Sequence, residues 1–363
     1  MNFDAELKLR VRRILWIQGY HCPLEVDLSH FDYEETRQTL RRSPITDIDV
    51  LGIRFDPDLR MSTVVVDCKS GKESEPNRLF WLRGLMDFFE AREGYLVKSA
   101  LHSHARALAP KLGIRVLDQN GLSVLEKALG RDSLAFDIGD PAWYAKSEKL
   151  WGLDIGPGKK PTPHELAVKD VYQYLQYLYW MVDDYRNIQT IMEKFGSIAK
   201  ELGADDLRAK YLVHIGLQRF ALSVLRMASE VAARDITDVA LQSRTYLSGG
   251  ALLRRERVQI FKLLNELLEQ QRLGEKLTPE PDYFDELVEI VNRIIGGSTH
   301  ASRVLQLLDA ILIEHVFGTK RDLQNILGTV YTTDALVLAK RIALLFEKSS
   351  GLTSELFAEI STL

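Results

Sequence analysis

The sequence predicts an α/β domain, a mixed sheet flanked by helices, followed by an all-α C-terminal domain. Short segments rich in β-branched residues alternate with helical segments through residue 129. From residue 164 onward the pattern is helical throughout. The intervening stretch contains the glycine and proline combinations that are typical of linkers. Because 363 residues exceed one ordinary domain, we expect a domain at 1–130, a linker at 131–163 and a helical domain at 164–363.

Within the first domain the expected order of elements is α-β-β-β-α-β-α-β-α. Strands that alternate with helices after an initial hairpin predict a mixed sheet with helices on its faces. Residues 29–44 are polar and charged, which predicts a loop or a short helix. The predicted helices are 4–18, 77–92, 102–112 and 121–129, and the predicted strands are 20–28, 45–55, 62–69, 94–99 and 114–118.

The C-terminal part shows no fixed-period repeat that would support a solenoid. We expect this all-α domain to recognise substrate, hold a protein partner or form a homodimer. The predicted helices are 164–199, 204–234, 236–247, 250–273, 281–295, 300–317, 319–328 and 332–348.

Charge and cysteine content limit the classes of function. The formal net charge is −4, so nucleic-acid binding would require a local basic patch. The two cysteines, Cys22 and Cys68, fit no zinc-binding spacing. The N-terminal residues lack the apolar stretch of a signal peptide, and no apolar run is long enough to span a bilayer. These features predict a cytoplasmic protein without a membrane partner.

Asp49, Asp67 and Lys69 form the strongest candidate site. Asp67 and Lys69 are two residues apart in a predicted strand, so their side chains leave the same face. A hairpin with its turn near 57–60 would place Asp49 opposite Asp67, within the error of the register. Solvated charges on an exposed strand are the alternative. The valines at 64–66 favour a central strand, where Asp67 and Lys69 would need to pair or bind something.

Two carboxylates beside an ammonium group suit metal-dependent chemistry. Mg²⁺ binds oxygen ligands, commonly one or two carboxylates and a substrate phosphate. A bound cation activates water and neutralises charge that builds on phosphorus. A neighbouring lysine can orient the attacking water and stabilise the anionic transition state. The expected cofactor is Mg²⁺ or Mn²⁺, with Asp49, Asp67 and the backbone carbonyl of Cys68 as ligands.

The segment TDIDVLG…VVVDCKSGK resembles the signature of the PD-(D/E)XK nuclease superfamily. Asp49 matches its first acid, and Asp67-Cys68-Lys69 matches its D-x-K element. The segments QGYHCPLEV and YLVKSALHSHARALAPKLGIRVLD are similar to those of Mrr-type endonucleases and archaeal Holliday-junction resolvases. The resemblance covers about residues 4–129. It implies a restriction-endonuclease-like fold, hydrolysis of phosphodiester bonds in DNA, and a prokaryotic role in defence, restriction or repair.

The same resemblance assigns a further catalytic and metal-binding acid to Glu6 on the N-terminal helix, with Glu25 as the alternative. This sequence departs from the family pattern at three positions. Ile48 replaces the proline, the second acid is Asp67 rather than glutamate, and Asp47 is an additional acid on the same face as Asp49.

Basic residues concentrate in the first domain. Arg10, Arg13, Arg41 and Arg42 are the candidates for contacts with phosphate groups of nucleic acid. A solvated surface without a ligand is the alternative.

Three functional hypotheses follow. The first is a metal-dependent endonuclease acting on DNA, with RNA left open as a substrate. The second is a non-catalytic nucleic-acid- or protein-binding module on the same fold. The third is a nuclease that its own helical domain or a partner keeps inactive until triggered.

Overall fold

The N-terminal part of the chain forms a five-stranded mixed sheet. A computed structural model describes residues 3–34, 39–69, 74–130, 136–150, 162–271, 276–318 and 320–363. The strands, which lie in the sheet in chain order, are β1 (Leu24–Glu34), β2 (Thr39–Phe55), β3 (Met61–Lys69), β4 (Glu93–Lys98) and β5 (Ile114–Leu117). The first three strands pair antiparallel, whereas β4 runs parallel to β3 and β5 runs parallel to β4. The predicted mixed sheet is confirmed.

A tight turn joins β2 to β3. The Asp56 N–H donates to the carbonyl of Arg60 at 2.9 Å, and the Leu59 N–H donates to the carbonyl of Asp56 at 2.8 Å. Pro57 suits such a turn because its ring fixes φ. The turn sets the register in which Val50 faces Val66, and the predicted hairpin is therefore confirmed.

Helices cover both faces of this sheet. They are α1 (Phe3–Ile17), α2 (Glu75–Phe88), α3 (Ser103–Leu108) and α4 (Gln119–Ala128). α1 and α4 share a buried cluster with Val50, Val64 and Val66, while α2 packs on the opposite face, which carries Val65. Gly52 allows a close approach here, because a Cβ atom at this position would lie 3.2 Å from Cδ1 of Tyr20.

The described residues of the C-terminal part form helices joined by turns and loops, with no strand among them, and the predicted all-α character is confirmed. Its longest helix, α8, is mostly buried and packs against α7, α9, α11, α12 and α14, which makes it the centre of this bundle. The helices are α5 (Pro141–Leu150), α6 (Pro163–Gln173), α7 (Asp184–Ile198), α8 (Leu207–Arg234), α9 (Val239–Leu247), α10 (Ala251–Gln271), α11 (Phe284–Gly296), α12 (Ala301–Ile311), α13 (Leu323–Leu327), α14 (Thr333–Ser350) and α15 (Ala358–Ser361).

The sheet and the helical bundle share one hydrophobic core. α12 makes several polar contacts between the two parts. Ser302 Oγ donates to the carbonyl of Phe55 at 2.9 Å, and Gln306 Nε2 donates to the carbonyl of Trp16 at 2.7 Å. Because the Gln306 contact is buried, losing one of its partners in the folded protein would leave the other unsatisfied.

The prediction of a loop or short helix at 29–44 is wrong for the described part of this segment. β1 and β2 continue as a two-stranded ribbon in which His30 pairs with Ser43. The guanidinium of Arg42 lies 3.6 Å from the ring centroid of Tyr177, between α6 and α7. Polar residues favour a loop when considered alone, but cross-strand pairing and a distant aromatic ring stabilise strands here.

Two boundaries in the helical part also differ from the prediction. The expected linker at 131–163 contains α5, and the buried Phe136 and Ile138 precede it; residues 131–135 and 151–161 lie outside the described residues. The single helix expected at 164–199 is divided by a turn near 179–183. None of the described helices is both long enough and apolar enough to cross a bilayer.

Candidate metal centre

Three acids come side by side on neighbouring strands of the sheet. The register of β1 and β2 places Glu25 opposite Asp49. The register of β2 and β3, continued by one residue from the Val50–Val66 pair, places Asp67 opposite Asp49 as well. Opposite residues on antiparallel strands share a face, so the three carboxylates form a row across the sheet.

Asp49 is buried at the centre of this row. Its Oδ2 accepts a hydrogen bond from the backbone N–H of Cys68 at 2.6 Å. Its Oδ1 lies 2.7 Å from Nζ of Lys8, which comes from α1. Cys68 therefore contributes its N–H to the site, and a role for its carbonyl as a metal ligand stays a prediction.

Asp67 is equally buried but is bound by a different cation. Arg78 of α2 donates through Nε to Asp67 Oδ2 at 2.9 Å and through Nη2 to Oδ1. Burial raises the pKa of Asp67; Arg78 opposes this rise and the charge of Asp49 adds to it. Burial alone would favour the neutral form of Asp67. The bidentate contact with Arg78 stabilises the ionised carboxylate instead.

Lys69 lies between these two acids. Its Nζ is 3.9 Å from Oδ2 of Asp49 and 3.9 Å from Oδ1 of Asp67. The side chain is 24% exposed, whereas both aspartates are 2% exposed. The ammonium group is therefore the member of this trio that has access to solvent.

Glu25, Asp47 and Asp49 satisfy the geometric requirement of a cation site. One carboxylate oxygen from each lies within 4.8 Å of the others. Oxygens bound to a divalent ion at about 2.0–2.6 Å are separated by no more than roughly twice that length. Asp47, which the sequence indicates as an extra acid able to assist Asp49, joins this group, so the residues fit a hard divalent cation.

Lys8 competes for the same oxygens. Its Nζ lies 2.6 Å from Glu25 Oε1 and 2.7 Å from Asp49 Oδ1. Burial alone would lower the pKa of Lys8, but the two carboxylates outweigh burial and raise it. Neither Lys8 nor Arg78 was predicted from the sequence as part of the site. For Lys8 the sequence contains only a weak indication of burial, because Leu7 and Val11 place residue 8 beside the apolar stripe of α1.

Glu6 does not join this group. It is exposed, and Lys8, two residues later on the same helix, points into the acids. Residues two apart on a helix point to nearly opposite sides. Glu25, the alternative fourth acid, lies in the cluster instead; burial raises its pKa although Lys8 opposes the rise.

The four arginines proposed for phosphate contact differ in their surroundings. Arg10 forms an ion pair with Glu126 at 2.7 Å, and the buried Arg13 forms one with Asp137 at 2.6 Å. These two are paired with internal acids, and their contact with phosphate stays a prediction. Arg41 and Arg42 are exposed on the ribbon, although Arg42 also stacks on Tyr177.

A second group of potential ligands consists of Glu75, His102 and His104. Glu75 Oε1 is 3.1 Å from His102 Nδ1 and 3.3 Å from Lys98 Nζ. Lys98 is the partner of Lys69 in the parallel β3–β4 register. This cluster therefore lies next to the aspartates, and its buried carboxylate already has an ammonium partner.

Comparison of the chain with protein-family models, with curated proteins and with solved structures gave no match. Function is therefore inferred from the chemistry of the described residues.

Proposed function

We propose that this protein is a metal-dependent phosphodiester hydrolase acting on DNA, on a restriction-endonuclease-like fold. The observation that carries the proposal is the position of Lys69, whose ammonium group lies 3.9 Å from the carboxylates of both Asp49 and Asp67. Burying two carboxylates beside a partly exposed ammonium group costs free energy. The same arrangement can stabilise negative charge at a reacting phosphate.

The proposed ion is Mg²⁺ or Mn²⁺, held by Asp49 with Glu25 and Asp47 and adjoined by Asp67. These residues offer the carboxylate oxygens that such ions prefer. When bound, the ion supplies a Lewis acid that activates water and neutralises phosphate charge. Lys69 would orient the attacking water and stabilise the negative charge that develops on the phosphate oxygens.

Lys8 and Arg78 act as internal counterions in this proposal. Each forms an ion pair with a buried acid. When a divalent ion binds, Lys8 would move away from the carboxylates of Glu25 and Asp49. The long, flexible side chain of lysine suits such an exchange. Arg78, in contrast, donates two parallel hydrogen bonds to Asp67 and keeps that carboxylate oriented.

The test is incubation of the full chain with plasmid, linear duplex and single-stranded DNA, in Mg²⁺, Mn²⁺ or EDTA. We expect cleavage that EDTA abolishes and that Lys69→Met reduces by roughly 10²–10³-fold. Asp87→Asn is the matched control, because this exposed acid on α2 pairs with Arg83, and its cleavage rate should be unchanged. Unaltered cutting by Lys69→Met, or no cutting with either metal, would contradict the proposal.

A non-catalytic DNA-binding module on the same fold is the second candidate. It is favoured by one observation: Lys8 and Arg78 already neutralise the two central acids. In that case the full chain would retard duplex DNA equally with EDTA and with Mg²⁺, and would produce no cleavage products.

A further inference from the structure

A cavity of about 170 Å³ lies where the sheet meets the helical bundle. Arg12 and His21 line it from the N-terminal part, and Trp143, Arg219 and Asp309 line it from α5, α8 and α12. Cavities between structural units that combine apolar walls with a few convergent polar groups are preferred ligand sites. The polar groups of this cavity include two buried arginines, Arg12 and Arg219.

Arg219 has no polar partner for its guanidinium among the residues that the structure describes. The residue is 9% exposed, and its Nε atom is buried without a hydrogen-bond acceptor. The guanidinium lies 4.6 Å from the ring centroid of Trp180, which provides a cation–π contact only. A buried cation without an anion in contact is costly. Burial lowers the pKa of Arg219 to about 10, although the charges of Tyr179 and Asp309 oppose this.

Arg12 faces the same cavity with neutral partners. It donates to the backbone carbonyls of Cys22 at 3.0 Å and Ile138 at 3.3 Å. Its guanidinium lies 4.4 Å from the ring centroid of Trp143. Carbonyl groups satisfy hydrogen bonds but supply no negative charge, so within the described part of the chain the second arginine is also left without an anion in contact.

The acids that line the cavity either have other partners or are exposed to solvent. Asp309 is 2.9 Å from Nδ1 of His21 and accepts from Gln218 at 3.3 Å. Glu25 is bound by Lys8, and Glu148 is exposed at the rim. Two further nitrogens on the cavity wall, His21 Nε2 and Trp143 Nε1, are buried without a partner among the described residues.

We propose that this cavity is a binding site for a small organic oxyanion, a carboxylate or phosphate ester on a single aromatic ring. Arg219 and Arg12 would bind the oxyanion, and the indoles of Trp143 and Trp180 would contact the ring. The volume fits this size, because an engineered cavity of about 150 Å³ accommodates benzene. Buried polar atoms without partners are rare in native proteins, and such a ligand supplies acceptors for Arg219 Nε and Trp143 Nε1.

Thermal denaturation of the full chain in EDTA tests this inference, with benzoate and phenyl phosphate as anionic probes and benzamide as the neutral control. At about ten times its Kd, an anionic probe should raise Tm by roughly 2–4 °C, and benzamide should leave it unchanged. A larger response to benzoate or to phenyl phosphate distinguishes a carboxylate ligand from a phosphate ligand. The absence of a shift with both anions up to 10 mM (about the weakest affinity such a small ligand would have) would overturn the inference.

Arg219→Met removes the proposed anion contact and should abolish the shift. Without probe it should be as stable as the wild type or more stable, because an uncompensated buried charge is replaced by an apolar chain of similar length.

Arg226→Met is the matched control on the same helix: Arg226 pairs with Asp184 and lies 5.8 Å from the Trp180 centroid. It should retain the anion response. If Arg219→Met kept the shift or was strongly destabilised without probe, Arg219 would be a structural residue and the inference would fail. Because the assay contains no free divalent ion, its result does not depend on nuclease activity.

Discussion

The row of acids across β1, β2 and β3 and the interface cavity both bury charged groups, but they compensate for them differently. In the row of acids, Asp49 is paired with Lys8, and Asp67 accepts hydrogen bonds from Arg78. In the cavity, the described surroundings of the Arg219 guanidinium offer it aromatic rings but no acceptor for its Nε atom. The buried acids of the first region have cations in contact, whereas the buried Arg219 of the second has no anion in contact among the described residues.

This difference separates two kinds of candidate site. At the row of acids an incoming cation must compete with internal cations that already satisfy the acids. In the cavity an incoming anion would displace no acid from the arginines, since their described contacts are carbonyls and aromatic rings. Any metal affinity at the row of acids is therefore reduced by the exchange with Lys8, while the proposed anion would meet no such competitor in the cavity.

The largest expected effect comes from removing the cation that holds Asp67. Arg78→Met should lower the free energy of unfolding by roughly 3–5 kcal/mol, because it leaves a buried carboxylate without its bidentate partner. The measurement is urea denaturation at pH 7. Arg83→Met is the control on the same helix, since Arg83 pairs with the exposed Asp87, and it should cost less than about 1 kcal/mol. Equal losses in the two variants would show that Arg78 does not compensate the buried charge of Asp67.

His214 on α8 offers a third arrangement, a buried group that is kept neutral. Burial lowers the pKa of His214 to about 4. Since the unfolded-state pKa is near 6.5, the unfolded chain binds the proton more tightly. The contribution of His214 to the free energy of unfolding is therefore complete above pH 6.5. It is lost as the pH falls toward 4, by about 2–3 kcal/mol.

His214→Gln should remove that part of the acid sensitivity in denaturation curves measured from pH 7 to 4. His164→Gln, at an exposed position, should leave it intact; identical pH profiles for all three proteins would contradict the assignment.

A smaller effect is expected at the contact that joins the two regions. Gln306→Leu removes the 2.7 Å hydrogen bond to the carbonyl of Trp16 and should lower the free energy of unfolding by roughly 1–2 kcal/mol. Because the sheet and the bundle share one core, calorimetry should still show a single transition. Gln324→Leu, at an exposed position, is the control. Two separate transitions in the wild type would show that the parts fold independently.

The smallest effect concerns the exposed ribbon. If Arg41 contacts phosphate, Arg41→Gln should weaken duplex DNA binding by a few fold and reduce the slope of log K against log salt by about one. Fluorescence anisotropy at several salt concentrations measures both quantities. Arg60→Gln is the control, because Arg60 is exposed at the turn that leads away from the acids. An unchanged salt slope for Arg41→Gln would remove the ribbon from the DNA-binding surface.

Much of the fold could be predicted because its signals are local. The Asp-Pro-Asp turn and the two-residue alternation of strands are enough to place Asp49 opposite Asp67. The ribbon at 29–44 escaped prediction because the groups that stabilise it, the opposite strand and Tyr177, are not adjacent in sequence. Strand formation depends on such distant partners more than helix formation does.

The sequence by itself determined the sheet, the helical C-terminal part and the side-by-side acids with Lys69. Only the tertiary structure decided which cations neutralise those acids, since Lys8 and Arg78 arrive from helices on separate segments. It also decided that Arg12 and Arg219, some two hundred residues apart in the chain, face one cavity. The physical reason is that strand register is a short-range property, whereas the compensation of buried charge depends on whichever long side chains the packed core brings within reach.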